Sequence, residues 1–128
     1  MADRPRYVVD HVGFEVRDLA ESRRFYDAAL EPLGFGAVVG HGDLVGIGGP
    51  RMPQVWIREG EPGGPVHVAF HADSREAVDA FYAAGLAAGG TDNGAPGLRP
   101  QYHAGYYGAY VLDPDGNNVE AVHHTPPG

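Results

Sequence analysis

Residues 66–72 read Val-His-Val-Ala-Phe-His-Ala, and this alternation is the pattern that decides the fold. Successive side chains of a β-strand point to opposite faces of a sheet. The pattern therefore predicts a strand with Val68 and Phe70 on a buried face and with His67 and His71 on the other face. A strand that backs an apolar face with two imidazoles indicates the floor of a binding or catalytic site.

The same pattern occurs near the start of the chain, where residues 10–16 read Asp-His-Val-Gly-Phe-Glu-Val. His11 and His67 are 56 positions apart. The same offset holds for the aromatic and glycine positions that follow: Phe14, Phe25, Tyr26 and Gly34 correspond to Phe70, Phe81, Tyr82 and Gly90. The sequence therefore predicts one strand-plus-helix unit that is written twice, with a histidine at the same place in each copy.

The composition limits the functions that are open to this chain. Its 128 residues predict a single domain, 1–128, and its net charge of −8 argues against binding to nucleic acid or to an anionic membrane. Lysine and arginine together number nine and all nine are arginine, so lysine Schiff bases are excluded, and the lack of cysteine excludes disulfides and thiolate ligands. No leader or membrane span is recognisable, so we expect a cytoplasmic protein.

Capping, turn and alternation signals predict two βαβββ modules, at about residues 1–60 and 66–124, joined by a Gly- and Pro-rich linker at 60–65. Asp18 and Ser74 are the predicted helix N-caps. The stretch 92–105 is rich in Gly, Pro and Asn and is predicted to be a long functional loop with at most one short strand. The other predicted strands are Tyr7–Val16, Gly36–Gly40, Leu44–Gly48, Gln54–Glu59, Val66–Ala72, Tyr106–Asp113 and Asn118–His123.

The last predicted strand carries the third residue of a candidate metal site. Alternation places Glu120 in the middle of a strand that otherwise looks buried, where a carboxylate is costly unless it is paired or bound to a metal. Together with His11 and His67 it would form a set of two imidazoles and one carboxylate, suited to one divalent ion such as Fe²⁺, Mn²⁺, Ni²⁺, Co²⁺ or Zn²⁺. A lone strand histidine is more often an ordinary hydrogen-bonded residue, but the repeat favours the metal.

Two motifs carry a family resemblance: His-Val-Gly-Phe-Glu-Val-Arg-Asp-Leu-Ala-Glu-Ser-Arg-Arg-Phe-Tyr at 11–26 and Asp-Pro-Asp-Gly-Asn-Asn-Val-Glu at 113–120. With them the chain resembles the vicinal oxygen chelate superfamily, which includes glyoxalase I, bleomycin-resistance proteins, fosfomycin-resistance transferases and extradiol dioxygenases. The resemblance implies an α+β fold, in which two βαβββ modules form a curved mixed sheet around a metal-binding cup. It also implies metal ligands at His11, His67 and Glu120, and modules that pair within one chain or across a homodimer.

The chain departs from glyoxalase I at the fourth, carboxylate ligand. That ligand would come from the strand at 54–59, where Trp56 or a neighbour stands opposite Glu120 and where Glu59 lies at the strand end. The fosfomycin-resistance transferases resemble the chain in having three ligands, but their cation-binding and phosphonate-binding loops have no clear equivalent here. In the dioxygenases a His and a Tyr stand beside the iron. Residues that could do so here, or could simply pack, are His71, His103, Tyr102, Tyr106, Tyr107 and Tyr110.

Two functions of different classes follow. The first is a metal-dependent lyase, isomerase or dioxygenase that chelates a small oxygen-bearing substrate, with Glu15, His71, His103 and Tyr106 as its candidate catalytic residues. The second is a small-molecule binding protein of the bleomycin-resistance kind, without catalysis. An inactive metal-binding scaffold is a third possibility. The segment 98–107 is expected to form a wall of the site, with Arg99 or His103 holding an anionic substrate group.

Overall fold

The structure is a computed structural model that describes residues 9–49 and 52–126. It has eight strands and two α-helices in these ranges, and a 3₁₀ turn at Glu31–Leu33 follows the first helix. The strands are β1 Val12–Val16, β2 Gly36–His41, β3 Leu44–Gly48, β4 Pro53–Glu59, β5 His67–His71, β6 Thr91–Leu98, β7 Tyr106–Leu112 and β8 Asn118–His124. The helices are α1 Leu19–Leu30 and α2 Arg75–Ala87. No helix in the described part of the chain is long and apolar enough to cross a membrane.

The strands form two four-stranded sheets of the same design. Sheet one has the order β1-β4-β3-β2 and sheet two has the order β5-β8-β7-β6. In each sheet the first and last strands of a module pair in parallel, and the other pairs are antiparallel. The predicted α+β fold of two βαβββ modules is therefore confirmed.

Two predicted elements differ from the structure. Residues 9–11 precede β1 and are not strand, and the remainder of the predicted strand, Tyr7 and Val8, lies outside the described residues. Pro53 has no N–H to donate, and it lies on β4 where a longer β1 would need its next hydrogen bonds. The predicted loop at 92–105 holds a longer strand than expected, because β6 reaches Leu98 and pairs with β7. Its glycines lie at register shifts, and a proline is tolerated because β6 is an edge strand.

The two helices pack on one side of both sheets and share one core. Both predicted N-caps are confirmed, because Asp18 accepts a hydrogen bond from the Glu21 N–H and Ser74 accepts one from the Ala77 N–H. Phe25 and Phe81 are fully buried against that core. A Cβ atom at Gly90 would lie 2.8 Å from the Phe25 ring. Glycine at this position therefore allows the second module to approach the helix of the first.

A buried carboxylate ties the two modules together. Asp113 is 4% exposed and lies in the turn between β7 and β8. Its Oδ2 accepts hydrogen bonds from the Tyr26 hydroxyl at 2.6 Å and from the Asn117 amide at 2.9 Å. Its Oδ1 accepts from the backbone N–H groups of Asp115 and Asn117. Burial first, and then the proximity of Asp113, raise the pKa of Tyr26 well above its ordinary value.

Further hydrogen bonds fix the same turn against both modules. Arg17, which follows β1, donates from its backbone and its guanidinium to Oδ1 of Asp115, at 3.1 and 3.0 Å. The Asn117 side-chain oxygen accepts from the Val66 N–H at 2.9 Å, at the start of the second module. The turn therefore holds the end of β1, helix α1 and the start of β5 in fixed relation to one another.

Candidate functional site

The candidate site lies on the face of sheet two that points away from the helices. The helix-facing side of β8 carries Val119 and Ala121, which are fully buried in the core. Alternation puts Glu120 on the opposite face, where it lies between Ala69 of β5 and Tyr110 of β7 in the strand register. The glutamate therefore occupies the centre of the sheet.

The Glu120 side chain is only 2% exposed, and both of its carboxylate oxygens have hydrogen-bond partners. Its Oε1 lies 2.8 Å from Nε2 of His67, and its Oε2 accepts a hydrogen bond from the Tyr106 hydroxyl. In the described ranges, His67 is the one basic side chain within ion-pair distance of this carboxylate. Burying a carboxylate costs free energy unless it is paired. The His67 imidazole and the Tyr106 hydroxyl therefore allow Glu120 to lie at the centre of the sheet.

Two tyrosines shield the carboxylate from water. Burial first, and then the hydrogen bond to Glu120, raise the pKa of the Tyr106 phenol far above its ordinary value. Burial also raises the pKa of Tyr110, which contacts Tyr106. The Tyr106 hydroxyl is therefore a hydrogen-bond donor to Glu120 at neutral pH and well into the alkaline range.

We expect the contribution of Tyr106 to the free energy of unfolding to fall as the pH rises above about 10. A raised pKa in the folded state gives a contribution that is fully present below the ordinary tyrosine pKa of about 10 and is lost above it, because only the unfolded phenol ionises. Tyr106→Phe should therefore lose less unfolding free energy than wild type between pH 8 and pH 11. Urea unfolding at both pH values measures this, and equal losses in the two proteins would contradict it.

The predicted wall at 98–107 places some of its side chains beside this pair and others elsewhere. The rings of Tyr102 and His103 lie 4.8 and 5.7 Å from the ring of Tyr106, measured between centroids. His103 Nε2 also lies 2.9 Å from Nδ1 of His124. Tyr107 points to the helix side instead, where its hydroxyl donates to Asp79 at 2.7 Å. The segment therefore splits by strand alternation, and only part of it borders the site.

His11 lies apart from the His67–Glu120 pair within one chain. Its Nδ1 is 2.6 Å from Oδ1 of Asp10, and its side chain is 58% exposed. With His71 it lines a cavity of about 450 Å³ between β1 and β5, whose apolar wall includes Phe70. In residues 9–49 and 52–126, no group of three or more His, Asp or Glu side chains is close enough to hold a metal ion. The predicted triad stays a prediction.

Sheet one carries tryptophan where sheet two carries the glutamate. Trp56 pairs with Gly13 as Glu120 pairs with Ala69, and Gly13 and Ala69 are equivalent positions of the repeat. Its indole covers Gly46, where a Cβ atom would lie 3.0 Å from the ring. An indole cannot ligate a metal ion. Glu59, the nearest carboxylate on the same strand, accepts a hydrogen bond from the Leu19 N–H at the start of α1.

The remaining predicted residues, Glu15 and His71, also lie on the sheet faces opposite the helices. They lie outside the group formed by Glu120, His67, Tyr106 and Tyr110. Glu15 forms a 3.4 Å ion pair with Arg58 on sheet one. His71 is 63% exposed and lies 3.3 Å from Asp73. His124 was not among the predicted site residues, because the predicted strand ended at His123 whereas β8 reaches His124. Alternation continued by one step from Glu120 and Val122 would have placed it on the same face.

Comparison with known proteins gives one family. A sequence model described as Glyoxalase/Bleomycin resistance protein/Dioxygenase superfamily matches residues 8–121. The crystal structure of a glyoxalase/bleomycin resistance protein from Albidiferax ferrireducens T118 is 36% identical, with a TM-score of 0.80. That comparison covers 93% of this chain and 100% of the other.

Two further crystal structures share the fold at lower identity. A glyoxalase/bleomycin resistance protein/dioxygenase family enzyme from Burkholderia phytofirmans PsJN is 23% identical, with a TM-score of 0.71 and coverage of 91% of this chain and 98% of that chain. Lactoylglutathione lyase from Agrobacterium tumefaciens is 22% identical, with a TM-score of 0.66 and coverage of 93% and 95%. None of the curated protein sequences matches the chain significantly.

Proposed function

Because the chain belongs to the glyoxalase/bleomycin resistance protein/dioxygenase superfamily, we propose that it is a divalent-metal-dependent enzyme acting on a small oxygen-bearing substrate. The reaction would be of the lyase, isomerase or dioxygenase type, with the substrate held through two neighbouring oxygens. One observation carries the proposal: Nε2 of His67 and Oε1 of Glu120 converge at 2.8 Å on the face of sheet two away from the helices. The glutamate is buried there with an imidazole as its basic partner.

The donor atoms of this pair fit a metal ion. The imidazole nitrogen and the carboxylate oxygen are ligand atoms that divalent ions bind in proteins, and the two lie 2.8 Å apart on one face of the sheet. An imidazole and a carboxylate, with no sulfur ligand, suit Fe²⁺, Mn²⁺, Ni²⁺, Co²⁺ or Zn²⁺. We propose His11 as the third protein ligand.

We propose a homodimer in which the third ligand comes from a second copy of the chain. Within one chain His11 contacts Asp10, and the Asp113 turn fixes the end of β1 against the second module. The sheet faces away from the helices carry His67 with Glu120 on one module and Trp56 with Glu15 on the other. Pairing these faces between two copies would bring His11 of one chain to the His67–Glu120 pair of the other.

The side chains around the pair have separate proposed roles. The Tyr106 hydroxyl donates to Oε2 of Glu120, so Oε1 and the His67 imidazole are the groups that would hold the ion. When bound, the metal would polarise the substrate oxygens and stabilise negative charge that develops on them. Proton transfer is assigned to His103, which contacts the Tyr106 ring, or to His71 and Glu15, which lie on the two sheet faces that would be paired.

A binding protein without catalysis is the second candidate function. The observation that favours it is the indole of Trp56 at the register position of Glu120, which offers an aromatic surface in place of a ligand. Such a protein would bind aromatic compounds equally well with and without a metal chelator. The enzyme would lose its binding of oxygen-chelating compounds when the metal is removed.

We expect wild-type protein, produced without a histidine tag, to hold about one divalent ion per chain after gel filtration. His67→Ala and Glu120→Gln should lower metal affinity by a factor of about 10 to 100 or more, because each removes a ligand. Elemental analysis measures the content, and circular dichroism checks the fold. Glu76→Gln, at an exposed position in the first turn of α2, is the matched control. The same metal content in all four proteins would refute the proposal.

A further inference from the structure

Arg99, at the start of the β6–β7 turn, lies on the same face of sheet two as Glu120. Its backbone N–H donates to the Tyr106 carbonyl at 2.8 Å, which anchors the turn to β7. Its guanidinium carbon lies 5.3 Å from the centroid of the Tyr110 ring. Tyr110 is the register partner of Glu120. One tyrosine ring therefore separates this cation from the buried carboxylate.

The guanidinium is held in a defined place. Its Nη2 donates to the Ala95 carbonyl at 2.8 Å. A Cβ atom at Gly94 would lie 3.3 Å from Nη2, and one at Gly97 would lie 3.2 Å from Nη1, so both glycines of β6 leave room for the group. The arginine is therefore fixed by the backbone before any ligand arrives, which lowers the entropic cost of binding.

The positive charge of this arginine is not matched by the protein around it. Among residues 9–49 and 52–126, no Asp or Glu side chain forms an ion pair with Arg99. Its neighbours are the neutral phenol of Tyr110 and backbone carbonyls. A guanidinium carries five N–H donors, and the carbonyls engage only part of them. The remaining donors are available to an anion.

We propose that Arg99 is an anion-binding subsite for the substrate, which would therefore carry a carboxylate beside its two chelating oxygens. The inference rests on the proposed metal site and names the class of its substrate: a small carboxylate-bearing chelator. A guanidinium pairs with a carboxylate through two parallel hydrogen bonds, and the Tyr110 ring restricts the movement of this guanidinium on one side. In a protein with a net charge of −8, such a residue also offsets the general repulsion of anions.

Catechol and 3,4-dihydroxybenzoate are the probes, because they share two vicinal hydroxyls and differ by one carboxylate. Binding to the Zn²⁺-loaded protein is measured by calorimetry for wild type and for Arg99→Gln. We expect wild type to favour the carboxylate compound, and the variant to lose about 10-fold or more of that preference. Catechol binding should change by less than about 2-fold. Comparing the two proteins cancels the different acidity of the hydroxyls in the two compounds.

Arg75→Gln is the matched control, because Arg75 stacks on Tyr107 of the same strand at 5.0 Å but on the helix side. It should keep the wild-type preference. An unchanged preference in Arg99→Gln overturns the subsite alone, as does equal weakening of both compounds or a weaker dimer with unchanged preference. If wild type binds neither compound, the proposed metal site fails for this ligand class and the subsite fails with it.

Discussion

Replacing Asp113 by alanine is expected to lower the free energy of unfolding by about 3 kcal/mol or more. The side chain accepts four hydrogen bonds at a site that is 4% exposed. Alanine would leave the Tyr26 hydroxyl, the Asn117 amide and two backbone N–H groups without their acceptor. Unpaired buried donors keep their desolvation cost, which makes this loss larger than that of a surface hydrogen bond.

Urea unfolding at neutral pH, followed by circular dichroism, measures this loss. Tyr26→Phe removes one of the four bonds and should cost about 1–2 kcal/mol. Asp92→Ala is the matched control, because Asp92 also accepts from a tyrosine hydroxyl and a backbone N–H but is exposed. It should cost less than about 1 kcal/mol. An Asp113→Ala protein as stable as Asp92→Ala would show that the buried turn does not hold the modules together.

Mixing two variants that each lack one proposed ligand is expected to restore metal binding. A His11→Ala chain keeps an intact second module, and a Glu120→Ala chain keeps an intact first module. If the site is shared across a homodimer, one of the two sites in each mixed dimer contains only intact halves. With random pairing, about one quarter of all sites should regain metal, whereas either variant alone should hold almost none.

The two chains are unfolded together, refolded and analysed for bound metal per chain. A His67→Ala chain mixed with a Glu120→Ala chain is the control, because both changes damage the same half and no pairing can repair it. Equal restoration in both mixtures would contradict the shared site. Sedimentation of the wild-type protein as a monomer at micromolar concentration would refute the dimer itself.

Alternation and the repeat were enough to predict both modules, both helix caps and the meeting of His67 with Glu120. These features depend on local periodicity and on the pairing of two neighbouring strands, which the sequence expresses directly. The position of His11 depends on how the modules pack, and no period in the sequence reports that. Strand β6 was predicted only as one short strand within a loop, because its glycines and proline are typical of loops, while its pairing with β7 compensates for them.

The hydrogen bond from Tyr106 to Glu120 was likewise beyond the sequence. Tyr106 was a candidate because it lies in an aromatic segment, but the neighbouring Tyr107 lies in the same segment and was an equally good candidate. Only the register of β7 against β8 decides which of the two rings faces the carboxylate. A one-residue shift would have exchanged their faces.

Trp56 has a consequence for the ancestry of the chain. The 56-residue repeat points to duplication of one gene segment, after which the positions now held by Trp56 and Glu120 would have begun with the same residue. A dimer of the undivided ancestor would have had two interchangeable halves in every site. In the present chain the two positions differ, so a substitution at Trp56 would reshape an aromatic surface, whereas a substitution at Glu120 would remove the carboxylate that pairs with His67. A change at position 56 would therefore leave the His67–Glu120 pair intact, and we expect a new specificity to be acquired more easily there than at position 120.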